Sequence, residues 1–251
     1  MSQTEFKRYE YKYLLDDMTY FKLIRKLEAY MDYDIYCTGH KPYTIYNVYF
    51  DTQNNDIIKK SLDHPYYKEK LRLRSYIRAS GEDIVFVELK KKIDGIVAKR
   101  RIAIRYKDLA KIFHDRENIN LVEGSQNALY EIYNHIDKYD LSPKVFISYK
   151  RLALFGEDDQ NFRVSFDTGI KTRRNHLGLI NRKDDAILLK NKVLMEVKIL
   201  GSLPLWFVDI LSSLGIYRTS FSKYGSEYKI YRVKNKNTER SKDEQLIQLT
   251  S

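Results

Sequence analysis

Among 251 residues there is one cysteine, Cys37. A lone thiol forms no internal disulfide and no CxxC pair, which disfavours thiol and zinc chemistry and suits a reducing, cytoplasmic setting. Glycine (10) and proline (4) are scarce, so collagen-like, linker-rich and low-complexity classes fall away. No run approaches the roughly 20 apolar residues of a transmembrane segment. The opening residues Met1-Ser2-Gln3-Thr4-Glu5-Phe6-Lys7-Arg8 lack the apolar core of a secretory signal. A GxxxxGK[ST] loop, a GxGxxG turn and a GxSxG elbow are all missing. The histidines (His40, His64, His114, His135, His176) stand at spacings that match no metal site.

What the chain does have is positive charge and aromatic mass. Lys and Arg number 45 against 34 Asp and Glu, a formal net charge of +11, and 22 Tyr and 11 Phe lie within a 43% hydrophobic fraction. That fraction can bury a core. The basic excess calls for an anionic partner: nucleic acid, an acidic membrane surface, or a phosphorylated small molecule.

Alternating patterns predict strands near Phe6–Leu15, Tyr43–Thr52, Tyr67–Arg78, Asp83–Lys92, Ile96–Tyr106, Lys144–Phe155, Phe162–Ile170 and Lys192–Leu200. Ala79-Ser80-Gly81-Glu82, Asp94-Gly95 and Gly156–Asn161 mark hairpin turns. Helical spacing covers Asp17–Met31 and Asn127–Tyr139, with a third helix through Trp206–Leu214 and a short one around Lys107–Phe113. Strands in this number with few helices predict an α+β fold: an eight-stranded antiparallel barrel, closed or nearly closed, with peripheral helices. Residues 1–233 read as one domain and the polar run 234–251 as a loose tail.

Residues two apart on a strand share a face. One face repeatedly carries charge: Arg8, Glu10 and Lys12; Lys70, Arg72 and Arg74; Glu88, Lys90 and Lys92; Lys99 and Arg101; Tyr149 and Arg151; Arg163, Ser165 and Asp167; Glu196 and Lys198. An ordinary solvated sheet face is the plain account of any single strand. Across the set, the near-exclusive use of Arg, Lys and Glu favours a charged barrel interior that water and anions fill. A linear polyanion such as a phosphate chain suits cations converging from several strands, and the few carboxylates in the same phase suit a divalent cation. Nucleic acid is the competing polyanion. It is disfavoured because no DNA- or RNA-binding motif occurs and many tyrosines (Tyr9, Tyr11, Tyr13) sit in apolar phase.

The segments FKRYEYKYLL (6–15), YFDT (49–52), KLRLRSY (70–76), VFVELKKK (85–92), GIVAKRR (95–101), PKVFISYKRLA (143–153), FRVSFD (162–167), LMEVKI (194–199), LPLWF (203–207) and SFSKYG (220–225) run in this order. Together they resemble the VTC domain, the polyphosphate-polymerase domain of the triphosphate tunnel metalloenzyme (CYTH-like) superfamily. The resemblance implies an eight-stranded tunnel barrel. It implies that Lys12, Arg72, Arg74, Lys90, Lys99, Arg101, Arg151, Arg163 and Lys198 bind phosphates, with Lys223 and Ser222 supplied from a C-terminal segment. Glu196 would be the main ligand for Mn2+ or Mg2+, Glu10 and Glu88 further candidates, and Tyr149 a polar wall residue near the nucleotide.

Tunnel triphosphatases open with ExExK, whereas this chain has Arg8-Tyr9-Glu10-Tyr11-Lys12. Arg8 removes a carboxylate and adds a phosphate ligand, which favours retaining long phosphate chains over two-metal hydrolysis. The expected activity is transfer of the ATP γ-phosphate to a growing inorganic polyphosphate chain. A tunnel triphosphatase and a non-catalytic polyphosphate-binding module are the alternatives. Yeast-type VTC proteins add an SPX domain and membrane helices; this chain resembles the stand-alone prokaryotic form, so coupling to a membrane would come through a separate membrane-protein partner. The helix around Trp206 is expected to close one end of the barrel by packing, the other reading being a dock for such a partner. The sequence leaves the oligomeric state open.

Overall fold

The computed structural model describes residues 8–63, 66–94, 96–116 and 119–235. Its strands are β1 (Arg8–Leu15), β2 (Met31–Tyr33), β3 (Tyr43–Asp51), β4 (Tyr67–Ser75), β5 (Ile84–Ile93), β6 (Ile96–Arg105), β7 (Ser142–Gly156), β8 (Arg163–Arg173), β9 (Ala186–Ile187) and β10 (Val193–Leu200). Every expected strand is among them; β2 and β9 are too short to show an alternation. Its helices are α1 (Asp17–Leu27), α2 (Asp56–Leu62), α3 (Leu109–His114), α4 (Gln126–Lys138), α5 (Leu205–Ser213) and α6 over 223–235. Helix α6 continues through Lys234 and Asn235, the start of the run expected to be a tail; 236–251 lie outside the described residues, as does Gly95 of the Asp94-Gly95 turn.

Local chemistry explains the element boundaries. Asp16 caps α1 by accepting from the Thr19 N–H at 2.8 Å, and Ser125 caps α4 through the Ala128 N–H at 3.2 Å. The expected α1 overran: it ends at Leu27, and Met31 opens β2, which pairs with β7 from Gly156. The β4–β5 turn is closed by the Asp83 side chain accepting from the Ser80 N–H, with Gly81 at φ +47°.

The strands form one ten-stranded sheet in the order β1-β10-β8-β7-β3-β4-β5-β6, with β2 paired to β7 and β9 to β8. All pairs are antiparallel. The sheet is not closed, so the expected eight-stranded barrel is corrected to an open, curled sheet. Its two outer strands, β1 and β6, come close without forming a ladder, and each is also met by another segment. The Thr219 N–H donates to the Lys12 carbonyl at 2.7 Å beside β1, and Ala103 of β6 exchanges hydrogen bonds with Val122 and Glu123. Covering an edge in this way removes the unpaired backbone groups that would drive closure. The curl still brings the two margins together: Glu10 on β1 reaches Lys90 on β5 at 3.2 Å.

Helices pack on both sides of the sheet. On the convex side α3 and α4 bury one apolar cluster with Leu71, Leu73, Val87 and Leu89, and α1 and α5 bury another with Val164, Phe166, Met195 and Val197. Helix α5 therefore packs on the outer face through Phe207 and Leu211 rather than closing an end, and Trp206 stacks on Tyr30 at 4.3 Å. On the concave side, part of the face is apolar. Ile45, Tyr49, Val145, Ile147, Ile170 and Leu194 are covered there by Ile58 of α2 and Tyr224 and Tyr228 of α6. A bulge at Gly169 (φ +56°) inserts one residue into β8, so Ile170 follows Asp167 onto this face. Among the described residues no helix is long and apolar enough to cross a membrane.

Candidate anion-binding site

The remainder of the concave face carries the charge, in two clusters. The first lies on the β3–β4–β5–β6 meander, where register places Arg72 opposite Glu88 and Glu88 opposite Arg101. Glu88, 1% exposed, is the shared counter-ion. Arg72 Nε donates to it at 2.8 Å, Lys99 Nζ lies at 2.6 Å, Arg74 Nη1 at 3.7 Å and Arg101 Nε at 3.9 Å. Neighbouring polar groups fix the guanidiniums: Arg72 Nη1 donates to the Tyr49 hydroxyl, Arg74 Nε to Asn47 Oδ1 and Arg74 Nη2 to the Tyr149 hydroxyl. Burial pushes the Glu88 carboxyl up, and Arg72, Arg74 and Lys99 outweigh it, holding the group well below the ordinary carboxylate range.

The second cluster joins β1, β7, β8 and β10 to α6. Arg151 grips Asp167 bidentately at 2.6 and 2.7 Å and donates to Glu196 Oε2 at 3.0 Å. Lys223, the first residue of α6, lies 2.5 Å from Asp167 and 3.0 Å from Glu196. Lys12 bridges Glu10 at 3.3 Å and Glu196 at 3.9 Å, and its ammonium also donates to the Phe221 carbonyl. Burial disfavours the charged form of Glu196, but Lys223, Arg151 and Lys12 keep it ionised, well below its ordinary value. Burial and Glu196 push Glu10 up; Lys90, Lys12 and Lys198 outweigh both and bring it down to about 2.

Two lysines are held the other way. Burial, with Lys12, Lys90 and Lys68 close by, lowers Lys70 to about 7. Burial lowers Lys198 to about 8 against the pull of Glu196 and Glu10. Lys70 reaches Ser222 Oγ at 3.3 Å, and the same oxygen accepts from the Gly225 N–H in the first turn of α6.

The structure thus brings Arg72, Arg74, Lys99, Arg101 and Glu88 together, and separately Lys12, Lys90, Arg151, Glu196, Glu10 and Lys223. Tyr149 lies between the two, taking Arg74 on its hydroxyl and Lys223 over its ring at 4.5 Å. Arg163 stands apart at one rim, donating to Asp34 Oδ2 at 3.0 Å. The backbone of Arg8 pairs with Leu200, while its side chain lies outside what is described. Lys70, Asp167, Asp34, Asn47 and Tyr49 were missing from the candidate set. Lys70 and Asp167 sit in the charged phase of their strands, so the alternation already marked them. Asp34 carries no signal of its own, since only β2 and the following turn place it.

Glu88, Asp167, Glu196 and Glu10 neutralise part of this lining. Cations still outnumber these carboxylates. Moreover, Nε of Arg101 and Nε of Arg163 are buried N–H donors with no hydrogen-bond partner among the described residues. Buried donors without acceptors on a net cationic concave surface suit phosphate oxygens.

A curled antiparallel sheet with basic strands converging on its hollow presents an anion-accepting face. A sequence model of the VTC domain matches residues 7–232, and the chain belongs to that family. Among solved structures it is similar to "a putative adenylate cyclase" from Bacillus halodurans, with TM-score 0.50 and 16% identity over 86% of this chain and 95% of that one. A structure of the same description from Vibrio parahaemolyticus has TM-score 0.44 and 11% identity, covering 88% of this chain and 98% of that one. A protein of Pyrococcus horikoshii OT3 has TM-score 0.42 and 12% identity, covering 86% and 95%. No curated protein matches the chain.

Proposed function

We propose that this VTC-family protein is a polyphosphate polymerase, an ATP:polyphosphate phosphotransferase. The observation that carries the reading is the convergence of Arg74, Arg151 and Lys223 around Tyr149 at the centre of the concave face. That placement suits a phosphoryl group in transfer, with cations arriving from three directions.

In this reading the terminal phosphate oxygen of a chain attacks the γ-phosphorus of ATP in line. A new P–O–P bond forms, the bond from the γ-phosphorus to the β,γ-bridging oxygen breaks, and ADP leaves with that oxygen. An anionic phosphate nucleophile requires no strong general base, which agrees with a concave site that uses no histidine. The residues work by positioning and charge neutralisation. Arg72 and Arg74, pinned by Tyr49 and Asn47, keep fixed orientations; Arg151 is held by Asp167; Lys223 gains its position from α6.

For a divalent metal, Mn2+ or Mg2+, Glu196 and Glu10 fit: both are ionised oxygen donors, joined by one lysine ammonium. Among the described residues no group of three or more His, Cys, Asp and Glu could hold a metal alone. The pair suits an ion that takes one or two carboxylates and completes its shell with substrate phosphates. Bound there, the metal would supply charge neutralisation at phosphate oxygens. Glu88 fits poorly, since four cations already enclose it.

The hydrolase alternative draws less support, because Arg8 stands where tunnel triphosphatases carry the first glutamate of ExExK. The test is purified protein with ATP and Mn2+ or Mg2+, assayed for ADP and for polyphosphate chain length. ADP with polymer is expected. ADP with free phosphate and no polymer overturns the polymerase in favour of hydrolysis. Neither product, with polyphosphate still bound, leaves a binding module.

A further inference from the structure

The two ends of the concave face differ in chemistry. At the α6 end the side chains are lysines (Lys12, Lys70, Lys90), and the rings there, Tyr49, Tyr224 and Tyr228, are buried. At the opposite rim a row of rings is accessible. Tyr36 and Tyr43 meet edge to face at 6.4 Å, Tyr43 and Tyr76 at 6.1 Å, and Tyr76 and Phe86 at 5.7 Å. Tyr36 is 70% exposed and Tyr76 38%.

Two guanidiniums flank this arc. Arg101 lies 3.5 Å over Phe86 and 5.9 Å from the Tyr76 ring centre. Arg163 lies 3.4 Å from the Tyr43 hydroxyl. These are the two arginines whose buried Nε–H has no hydrogen-bond partner among the described residues. The arc also adjoins the phosphate-binding set, since Tyr43 is opposite Arg151 in register and Tyr76 lies two residues beyond Arg74.

We infer that the Tyr36–Tyr43–Tyr76 arc is a nucleobase-stacking site that receives the purine of the donor nucleotide. Arg101 and Arg163 meet the sugar-proximal phosphate, and the triphosphate points inward toward Arg74 and Arg151. The inference rests on the polymerase reading and adds a polarity to it: base at the aromatic rim, chain toward the lysine end. Ring faces attract any base, and exposed tyrosines beside cations form the usual stacking platform for unpaired bases.

The experiment titrates the full chain with ATP and with tripolyphosphate by calorimetry, comparing wild type, Tyr76→Ala, Tyr76→Phe and Tyr36→Ala. Loss of one stacked ring should weaken ATP binding on the order of tenfold. Tripolyphosphate binding should stay unchanged and Tyr76→Phe should retain the wild-type ATP affinity. Equal losses for both ligands overturn the stacking site by giving Tyr76 a purely structural role, as does ATP binding untouched in both alanine variants. Tyr36, being largely exposed, keeps the test open should Tyr76→Ala fold poorly. Wild type that binds tripolyphosphate as tightly as ATP overturns the base site alone. Wild type that binds neither overturns the base site and the polymerase reading together.

Discussion

The Glu88 cluster and the Asp167–Glu196 cluster do similar electrostatic work with different architecture. Around Glu88, every cation comes from a strand that is a sequence neighbour; register sets Arg72 and Arg101 opposite it, and Lys99 reaches it diagonally from two residues before Arg101. Around Asp167 and Glu196 the cations come from β1, β7 and α6, with Lys223 lying 27 residues beyond Glu196. The first cluster has one carboxylate for four cations; the second has Asp167, Glu196 and Glu10 sharing Arg151, Lys223, Lys12 and Lys90. The first therefore has more to gain from an added anion than the second, which is closer to balance.

Removing the carboxylates separates the two most sharply. Glu88→Ala leaves buried guanidiniums without a counter-ion and should cost about 3–5 kcal/mol of stability. Thermal unfolding measures this, and added tripolyphosphate should restore much of the loss. Lys223→Ala should be gentler on stability, because Arg151 still holds Asp167 bidentately. Its effect falls on turnover, where losing one cation at the reacting phosphate should lower kcat about 100- to 1,000-fold; steady-state ADP release reads it. A Lys223→Ala enzyme with wild-type turnover would remove the second cluster from the chemistry.

The lysine end offers a pH test. Folded Lys70 titrates at about 7 instead of its ordinary 10.5. Between these values the folded group is neutral and the unfolded one charged. The unfolded state then binds more protons, so this group's contribution to stability rises with pH across the window and is lost as pH falls toward 7. A phosphate chain favours the ammonium, so tripolyphosphate binding at pH 8 should take up a proton there. Calorimetry in buffers of different ionisation enthalpy should show up to about one proton from this site, and Lys70→Met should remove it. The smallest effect is expected of Ser222→Ala, which loses the Oγ that accepts from the first turn of α6. A cap of this kind is worth about 1 kcal/mol, read by denaturant unfolding.

Much of the meander was legible because its determinants are local. Lys70, Arg72 and Arg74 alternate with Leu71 and Leu73, and a period of two fixes which side chains share a face whatever the fold. The turn residues around Gly81 then fix the neighbour. The second cluster was legible only in its parts. Arg151, Asp167 and Glu196 each stand in the charged phase of a strand, but nothing local says that β8 inserts between β7 and β10. Lys223 came from resemblance, since one lysine opening a helix is unremarkable by periodicity. Asp34, Asn47 and the rim tyrosines were not marked at all, because their roles depend on which ends of which strands meet.

The sequence by itself determined the eight longer strands, the charged phase of each and the net positive charge of the chain, because alternation and net charge need no knowledge of distant contacts. Tertiary structure alone decided that the sheet stays open, that α6 plugs part of the hollow, and which carboxylate faces which cation. Those outcomes depend on curl, on the bulge at Gly169, on the non-helical segments at Thr219 and Val122–Glu123 beside the outer strands, and on helices covering the concave face. Such packing brings residues far apart in the chain within 3 Å, a distance that no local pattern encodes.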